Sequence, residues 1–553
     1  MNQIKTIIRE YPIFIILTFG ALLFIPFLGS VHLFDWDEVN FAEISREMIE
    51  SGNYMQPQIN YLPFYEKPPL FMWMQVLAMK LFGINEFSAR LPNALFGIIV
   101  LISLYQIGKR HFSAQFAWLW VLCFGASIAP HFYFRTGLID PIFNFFIFLS
   151  LYYSIYLFQH RDYPKKKILG NILLSATFAS LAIMTKGPVA LIIILGTIFF
   201  ACAIHLFKSM PTIPNLFLWG VITICMSSVW FLYEQSIHGN TYIQEFIKYQ
   251  IRLFQTEDAK HGGTILFHPI ALLLGCFPAS IFMWSAFANR ETEKTFQKKF
   301  FQLMLACFVV VLVLFSIVQT KIIHYSSMDY YPMTFFAAWG LDRMMRLGAQ
   351  ISFIQKTGIV IVSLFWGIVL LLIPYLGMHK TAIIPYIHDK NFLHQLKIPI
   401  EWNYYASAFG IVFLTLVFIA IIKLNQQKIM TGFVVLSIAI IFLIQVLSYY
   451  YLPRIEKMVQ GELIQFCQSH KTERADHVAL FLKSYAIFFY SEVKPFINKE
   501  DSLKHLYYLY LPIERDVYIY TRTIDRIHTD TGRIPNLQYL YGKGGFEFYK
   551  RTK

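Results

Sequence analysis

Asp37 and Glu38 follow Trp36 just beyond the first long apolar run of this 553-residue chain. A carboxylate held at the edge of a low-dielectric layer can take a proton or hold a cation. Glu66-Lys67 stands directly before Pro68-Pro69, so two opposite charges are presented on a fixed backbone, and a lysine there meets phosphate as a compact point charge. Asp140 opens an otherwise apolar run, where an ionisable group is costly and marks function by default. His261, before Gly262-Gly263, offers with Glu66 one carboxylate and one imidazole, an incomplete set for a divalent metal. Lys321 and Tyr325 close a later run, with Tyr325 placed to hydrogen-bond a phosphate oxygen.

Each of these has a plainer reading. Asp37 would serve as a helix N-cap, and Asp140 likewise, with Pro141 at the first helical position. Glu66-Lys67 would be a surface pair, and His261 a solvated histidine. Lys186, in Lys186-Gly187-Pro188, binds phosphate or snorkels to the interface, and the structural reading is preferred there. Tyrosines such as Tyr325 are common in interfacial belts.

The elements that must position these residues are membrane spans. Apolar residues make up 56% of the chain and charged residues only 14%, against about 25% charged in soluble domains. Separate soluble domains, disordered chains and disulfide scaffolds are excluded, and no CxxC pair suggests a thiolate metal site. Apolar runs fall at 12–30, 90–108, 112–130, 138–158, 169–185, 188–207, 214–233, 267–288, 300–318, 327–345, 354–377, 403–422 and 430–450, about thirteen in all. Lys and Arg clusters occupy alternate connections, among them Lys109–Arg110, Arg161 with Lys165–Lys167, Lys208, and Arg290 to Lys299. A cytoplasmic N-terminus puts all of them inside, so the net charge of +14 calls for no nucleic acid. The opposite connections then face the exterior, where no nucleotide is expected and a transferred group must arrive already activated.

The expected fold is an all-α polytopic membrane protein with a small C-terminal α/β domain outside the membrane. The division is 1–452 for the membrane domain, whose external loop 31–87 carries amphipathic helices, and 453–553 for the external domain. In that loop, Phe41, Ile44, Met48 and Ile49 form one face of a helix, with Glu43, Arg46, Glu47 and Glu50 opposite. Gly52 ends it, and a second, interfacial helix starts at Pro68–Pro69. In the C-terminal part, His477–Lys483 and Asp516–Arg522 alternate like strands, and Gly542–Gly545 marks a hairpin.

Asp37-Glu38-x-x-Phe41-Ala42-Glu43-Ile44-x-Arg46-Glu47-Met48 with Ser51-Gly52, then Tyr65-Glu66-Lys67-Pro68-Pro69-Leu70, resembles the bacterial aminoarabinose transferase family. That family belongs to the GT-C membrane glycosyltransferases, alongside the protein O-mannosyltransferases. Thr136-Gly137-Leu138-x-Asp140, Lys186-Gly187-Pro188, the His261 loop and Lys321-x-x-x-Tyr325 follow in the family's order. The resemblance implies transfer of a sugar from a polyprenyl phosphate to an extracytoplasmic acceptor such as lipid A, at a bacterial inner membrane, with the C-terminal domain periplasmic. Asp37 and Asp140 match the essential acids, and Lys67 the residue facing donor phosphate. Glu38, Tyr325 and Lys321 are expected to bind substrate, and Glu66 and His261 match positions associated with a divalent metal. One departure is Asn40, where the family commonly has arginine; an amide supplies no charged fork to an anion.

The mechanism implied is a single inverting displacement at the anomeric carbon, with Lys67 stabilising the leaving phosphate and Asp37 acting as base toward a hydroxyl acceptor. An ionised phosphate acceptor needs no base, and the two acids then position the sugar. The alternatives are a protein O-glycosyltransferase on the same fold, a non-catalytic membrane scaffold, and a secondary transporter or lipid flippase. A transporter is disfavoured because the polar residues gather at one outer rim without an internal repeat.

Overall fold

A backbone inside hydrocarbon must satisfy its own polar groups, and each apolar run above falls on a helix or on a bent helix pair. The computed structural model describes residues 9–158, 164–203, 212–255, 263–287, 295–473, 475–480, 482, 484–494, 509–510, 512–528 and 534–553. Among these, eight helices are long and apolar enough to cross a membrane, or nine if Phe267–Gly275 and Ala279–Phe287, bent by 107°, count as one span. Pro12–Phe24, Ala114–Gly125 and Val189–Ala203 are shorter apolar helices. Arg161, Lys208, Arg290 and Lys294, used above for sidedness, lie outside the described residues.

Close approach shapes the bundle. A Cβ on Gly340 would stand 2.8 Å from Ser285 Cβ and 2.9 Å from the Phe282 carbonyl, so helix Tyr330–Leu347 lies directly against the segment at 282–286. Gly340→Ala is expected to destabilise by about 1–3 kcal/mol through overpacking, seen as a lower unfolding midpoint in detergent. An unchanged midpoint would mean the two segments part freely.

In the external loop, helix Asp37–Ser51 ends at Gly52 with φ +72°, and helix Leu70–Phe82 starts after Pro69. One expectation is corrected. Most of the polar face of Asp37–Ser51 does not meet water: Glu43, Arg46 and Glu47 are buried, and only Glu50 at its end is exposed. Arg46 pairs with Glu43 at 2.7 Å and donates to the Val493 carbonyl, and Glu47 accepts from the backbone N–H groups of Asn60 and Tyr61. The helix's own Arg46–Glu43 pair, the 58–63 hairpin of the same loop and the Val493 carbonyl of the C-terminal part satisfy these charges, so the amphipathic spacing here marks a helix that buries most of both faces.

The C-terminal sheet has four strands in the order Asp476–Ala479, Val517–Arg522, Phe546–Arg551, Leu537–Lys543, the first pair parallel and the others antiparallel. Gly544 and Gly545, both at positive φ, turn the expected hairpin. Residues 481 and 483 of the first expected strand lie outside the described residues. The helical run Ile429–Ser469 spans 41 residues and continues across the expected division at 452/453, with π turns at Leu447–Tyr451 and Lys457–Gly461. Its far end packs Phe466 on Phe548, ring centroids 4.3 Å apart. Leu33, Val39 and Ala42 of the first external loop share that core, so sheet and loop form one packed unit.

Candidate active site

A cavity of about 1100 Å³ lies between the ends of the spans, the 31–87 loop and the C-terminal sheet. Asp37, Lys67, Asp140, Lys186, His324 and Tyr325 line it together. These residues come from five separated segments, and the clamps that bring them together are visible.

The first clamp is Glu38. Its carboxylate accepts from Arg90 Nε and a terminal guanidinium nitrogen at 2.8 Å each, from Phe34 N at 2.7 Å and from Gly137 N at 2.5 Å. Arg90 directs its remaining N–H groups to the carbonyls of Leu28, Val31 and His32. Both side chains are almost wholly buried. Glu38 lines the cavity, but its carboxylate is taken up by four donors of the protein itself. It ties the segment carrying Asp37 to the segment carrying Asp140. Space at this junction is tight, since a Cβ on Gly137 would come within 3.1 Å of Glu38 Cγ. Asn93 completes the tie, donating to the carbonyls of Thr136 and Leu138 at 2.6 Å each.

With Glu38 turned inward, Asp37 faces the cavity. Neither acid caps its helix: Trp36 and Ile139 occupy the N-cap positions, and no side-chain cap bond forms. The Asp37 carboxylate lies 3.5 Å from His324 Nε2, and the Asp140 carboxylate 3.8 Å from the same atom. The other Asp140 oxygen accepts from Lys186 Nζ at 2.5 Å. Lys186 is thus a member of the site, against the snorkelling reading, and its ammonium stands 5.0 Å above the Tyr325 ring. Sequence reasoning also passed over His324 as a site residue, although it lies beside Tyr325 in the segment it quoted. Burial holds the His324 imidazole below its ordinary pKa, which favours the neutral ring near pH 7.

Lys67 Nζ sits 3.4 Å from the Tyr249 hydroxyl and 3.9 Å from the Glu66 carboxylate, and the Lys67 carbonyl accepts from Tyr242. Lys321 does not line the cavity. Its ammonium donates to the carbonyls of Phe315, Ser316 and Val318, at the end of helix Thr295–Ile317. A cation there satisfies orphan carbonyls and complements the helix dipole, and this role replaces the expected ligand role. His261 lies outside the described residues. Among the described residues no group of three His, Cys, Asp or Glu side chains converges to hold a metal, and Glu66 pairs with the Lys67 ammonium at 3.9 Å.

Three buried polar atoms at the cavity make no hydrogen bond in the structure: one Asp140 oxygen, His324 Nε2 and the Asn40 amide oxygen. Buried polar atoms are almost always paired, so the Asp140 and Asn40 oxygens suit a ligand that offers O–H or N–H donors. The lining also includes the apolar Ile128, Ala129, Phe132, Leu274 and Ile322, which suit a hydrocarbon tail.

The family described as dolichyl-phosphate-mannose-protein mannosyltransferase matches residues 66–232. An uncharacterized protein of Aquifex aeolicus is 28% identical over 303 residues, covering 55% of this chain and 58% of its own. An undecaprenyl phosphate-alpha-4-amino-4-deoxy-L-arabinose arabinosyl transferase of Shewanella sediminis is 22% identical over 367 residues, 63% of this chain and 64% of its own. The crystal structure of ArnT from Cupriavidus metallidurans bound to undecaprenyl phosphate superposes with a TM-score of 0.72 at 17% identity, covering 97% of both chains. The chain thus matches about 58–64% of the length of those two sequence relatives. The resemblance read in the first external loop holds: this membrane protein is similar in sequence to the bacterial aminoarabinose transferases and has their GT-C fold.

Proposed function

We propose that the protein is a glycosyltransferase that moves a sugar from a polyprenyl phosphate to an acceptor on the outer face of a bacterial inner membrane. The N-terminus is then cytoplasmic and the C-terminal sheet periplasmic. The observation that carries this reading is the convergence of Asp37, His324, Asp140 and Lys186, with Lys67, on a cavity that is also lined by many apolar side chains. Aminoarabinose and lipid A are the donor sugar and acceptor suggested by the named relatives.

The apolar side chains hold the first isoprene units and bring the phosphate to the lysines. The acceptor oxygen attacks the anomeric carbon as its bond to the phosphate oxygen breaks, so configuration inverts and the polyprenyl phosphate leaves with the bonding electrons. Charge grows on the phosphate, where Lys67 and Lys186 stabilise it in a water-poor site. Asp37, on the more open side, takes the proton of a hydroxyl acceptor. The unpartnered oxygens of Asp140 and Asn40 receive donors from the sugar. No step is routed through a metal.

The test is transfer by the purified protein in nanodiscs, using radiolabelled polyprenyl-phosphate sugars and following label into lipid or protein. Lys67→Ala is expected to lower turnover about 100-fold with an unchanged unfolding midpoint. Label in protein would select the O-glycosyltransferase reading. Wild-type turnover in the folded variant would remove Lys67 from the mechanism, and no label in any acceptor would sink the proposal.

A further inference from the structure

Trp36, immediately before Asp37, has φ +71° and ψ −129°, a conformation that residues with a side chain avoid and that persists only where the surroundings impose it. The constraint is found one residue earlier. One oxygen of the half-buried Asp35 carboxylate accepts from the Trp36 backbone N–H at 2.9 Å and from the Ser484 hydroxyl at 2.8 Å. Ser484 belongs to the C-terminal part, is buried, and accepts in turn from Ala486 N at the start of helix Ala486–Ser491.

The same helix grips the loop a second time. Its Tyr490 hydroxyl accepts from Leu33 N at 2.7 Å and donates to Glu86 at 3.1 Å. The Leu33 carbonyl accepts from Gln460 on the long helical run. Residues 33 and 35 are therefore held by the C-terminal part, while Glu38 holds the other side of the turn. Asp37 lies between these two anchors, and Asp35, Asp37 and Ser484 all line the reaction cavity.

We propose that Ser484 is a positioning residue: through Asp35 it fixes the Trp36 turn and so sets the direction of the Asp37 carboxylate, making the C-terminal part a working component of the active site. This rests on the transferase reading above. Ser484 touches neither the reacting atoms nor Asp37 itself. Its hydroxyl relieves the Asp35 carboxylate of part of its desolvation cost and locks one rotamer of it against the turn. Without that bond Asp35 keeps only the Trp36 N–H of its own turn, and the turn relaxes toward ordinary backbone geometry.

The experiment compares Ser484→Ala, Ser484→Thr and Asp35→Asn in the full-length protein in nanodiscs, by kinetics and by hydrogen–deuterium exchange. Ser484→Ala is expected to lower kcat about 3- to 10-fold, the loss of one ordinary hydrogen bond, with the donor KM unchanged. Exchange should quicken in peptides spanning 34–39 and nowhere distant. Ser484→Thr, which keeps the hydroxyl, should restore both, and Asp35→Asn, which keeps the shape without the charge, should fall between. An unchanged kcat in Ser484→Ala overturns the proposal. So does unchanged exchange at 34–39, or a fall in kcat accompanied by faster exchange throughout the chain. If the wild type transfers no sugar, the transferase reading fails, and local exchange alone then decides whether Ser484 holds the turn.

Discussion

Lys186→Met is expected to abolish transfer and destabilise the protein, and adding Asp140→Leu should restore stability without restoring transfer. The pair is 2.5 Å apart, with side-chain exposures of 15% and 4%. Breaking such a pair leaves one buried charge uncompensated and costs about 3–5 kcal/mol, whereas replacing both partners with apolar residues is often neutral. A stability of about 5–15 kcal/mol makes the single change severe. Chemistry does not recover in the double variant, because the ammonium and the carboxylate oxygen facing the sugar are both gone. A loss of at least about 100-fold follows from removing such electrostatic stabilisation. Unfolding midpoints and transfer rates for the two single variants and the double variant give a complete cycle. A double variant that transfers sugar at the wild-type rate would reduce the pair to a brace between helices.

Glu38→Ala should be the most damaging change in the external loop. It strands the Arg90 guanidinium, 3% exposed, at about 3–5 kcal/mol, and it releases the N–H groups of Phe34 and Gly137 inside the protein. Poor accumulation in the membrane and a strongly lowered midpoint are expected. Glu38→Gln keeps the shape but loses the charge-assisted fork, so it should fold with an intermediate midpoint. Its transfer should be depressed more than its stability, because the segments bearing Asp37 and Asp140 lose their common anchor. Glu38→Ala with a normal midpoint would show that the loop is held from elsewhere.

The acids Asp37 and Asp140 and the ammonium of Lys67 were legible in the sequence, since ionisable groups beside long apolar runs are too costly to be incidental. Their arrangement was less so. Consecutive helical residues point about 100° apart, so of the pair Asp37-Glu38 one turns to the cavity and the other into the protein, and the sequence does not say which. Lys186 and Asp140 are 46 positions apart, and nothing local to Lys186 distinguishes a lysine that meets a carboxylate from one that snorkels. Lys321 failed as a ligand because the end of its own preceding helix competes for the ammonium. The spans were legible from hydropathy, and the hairpin from its glycines. The burial of Glu43, Arg46 and Glu47 was not, because part of what satisfies them, the Val493 carbonyl, lies more than 400 residues away.

The unbroken helical run from Ile429 to Ser469 makes a rod of about 60 Å at 1.5 Å per residue. Helix, with no intervening loop, therefore joins the membrane domain to the sheet. Tilting the rod in a thicker or thinner lipid layer would carry the whole outer assembly with it, and a cut at Pro453 would sever a girder where one would look for a tether.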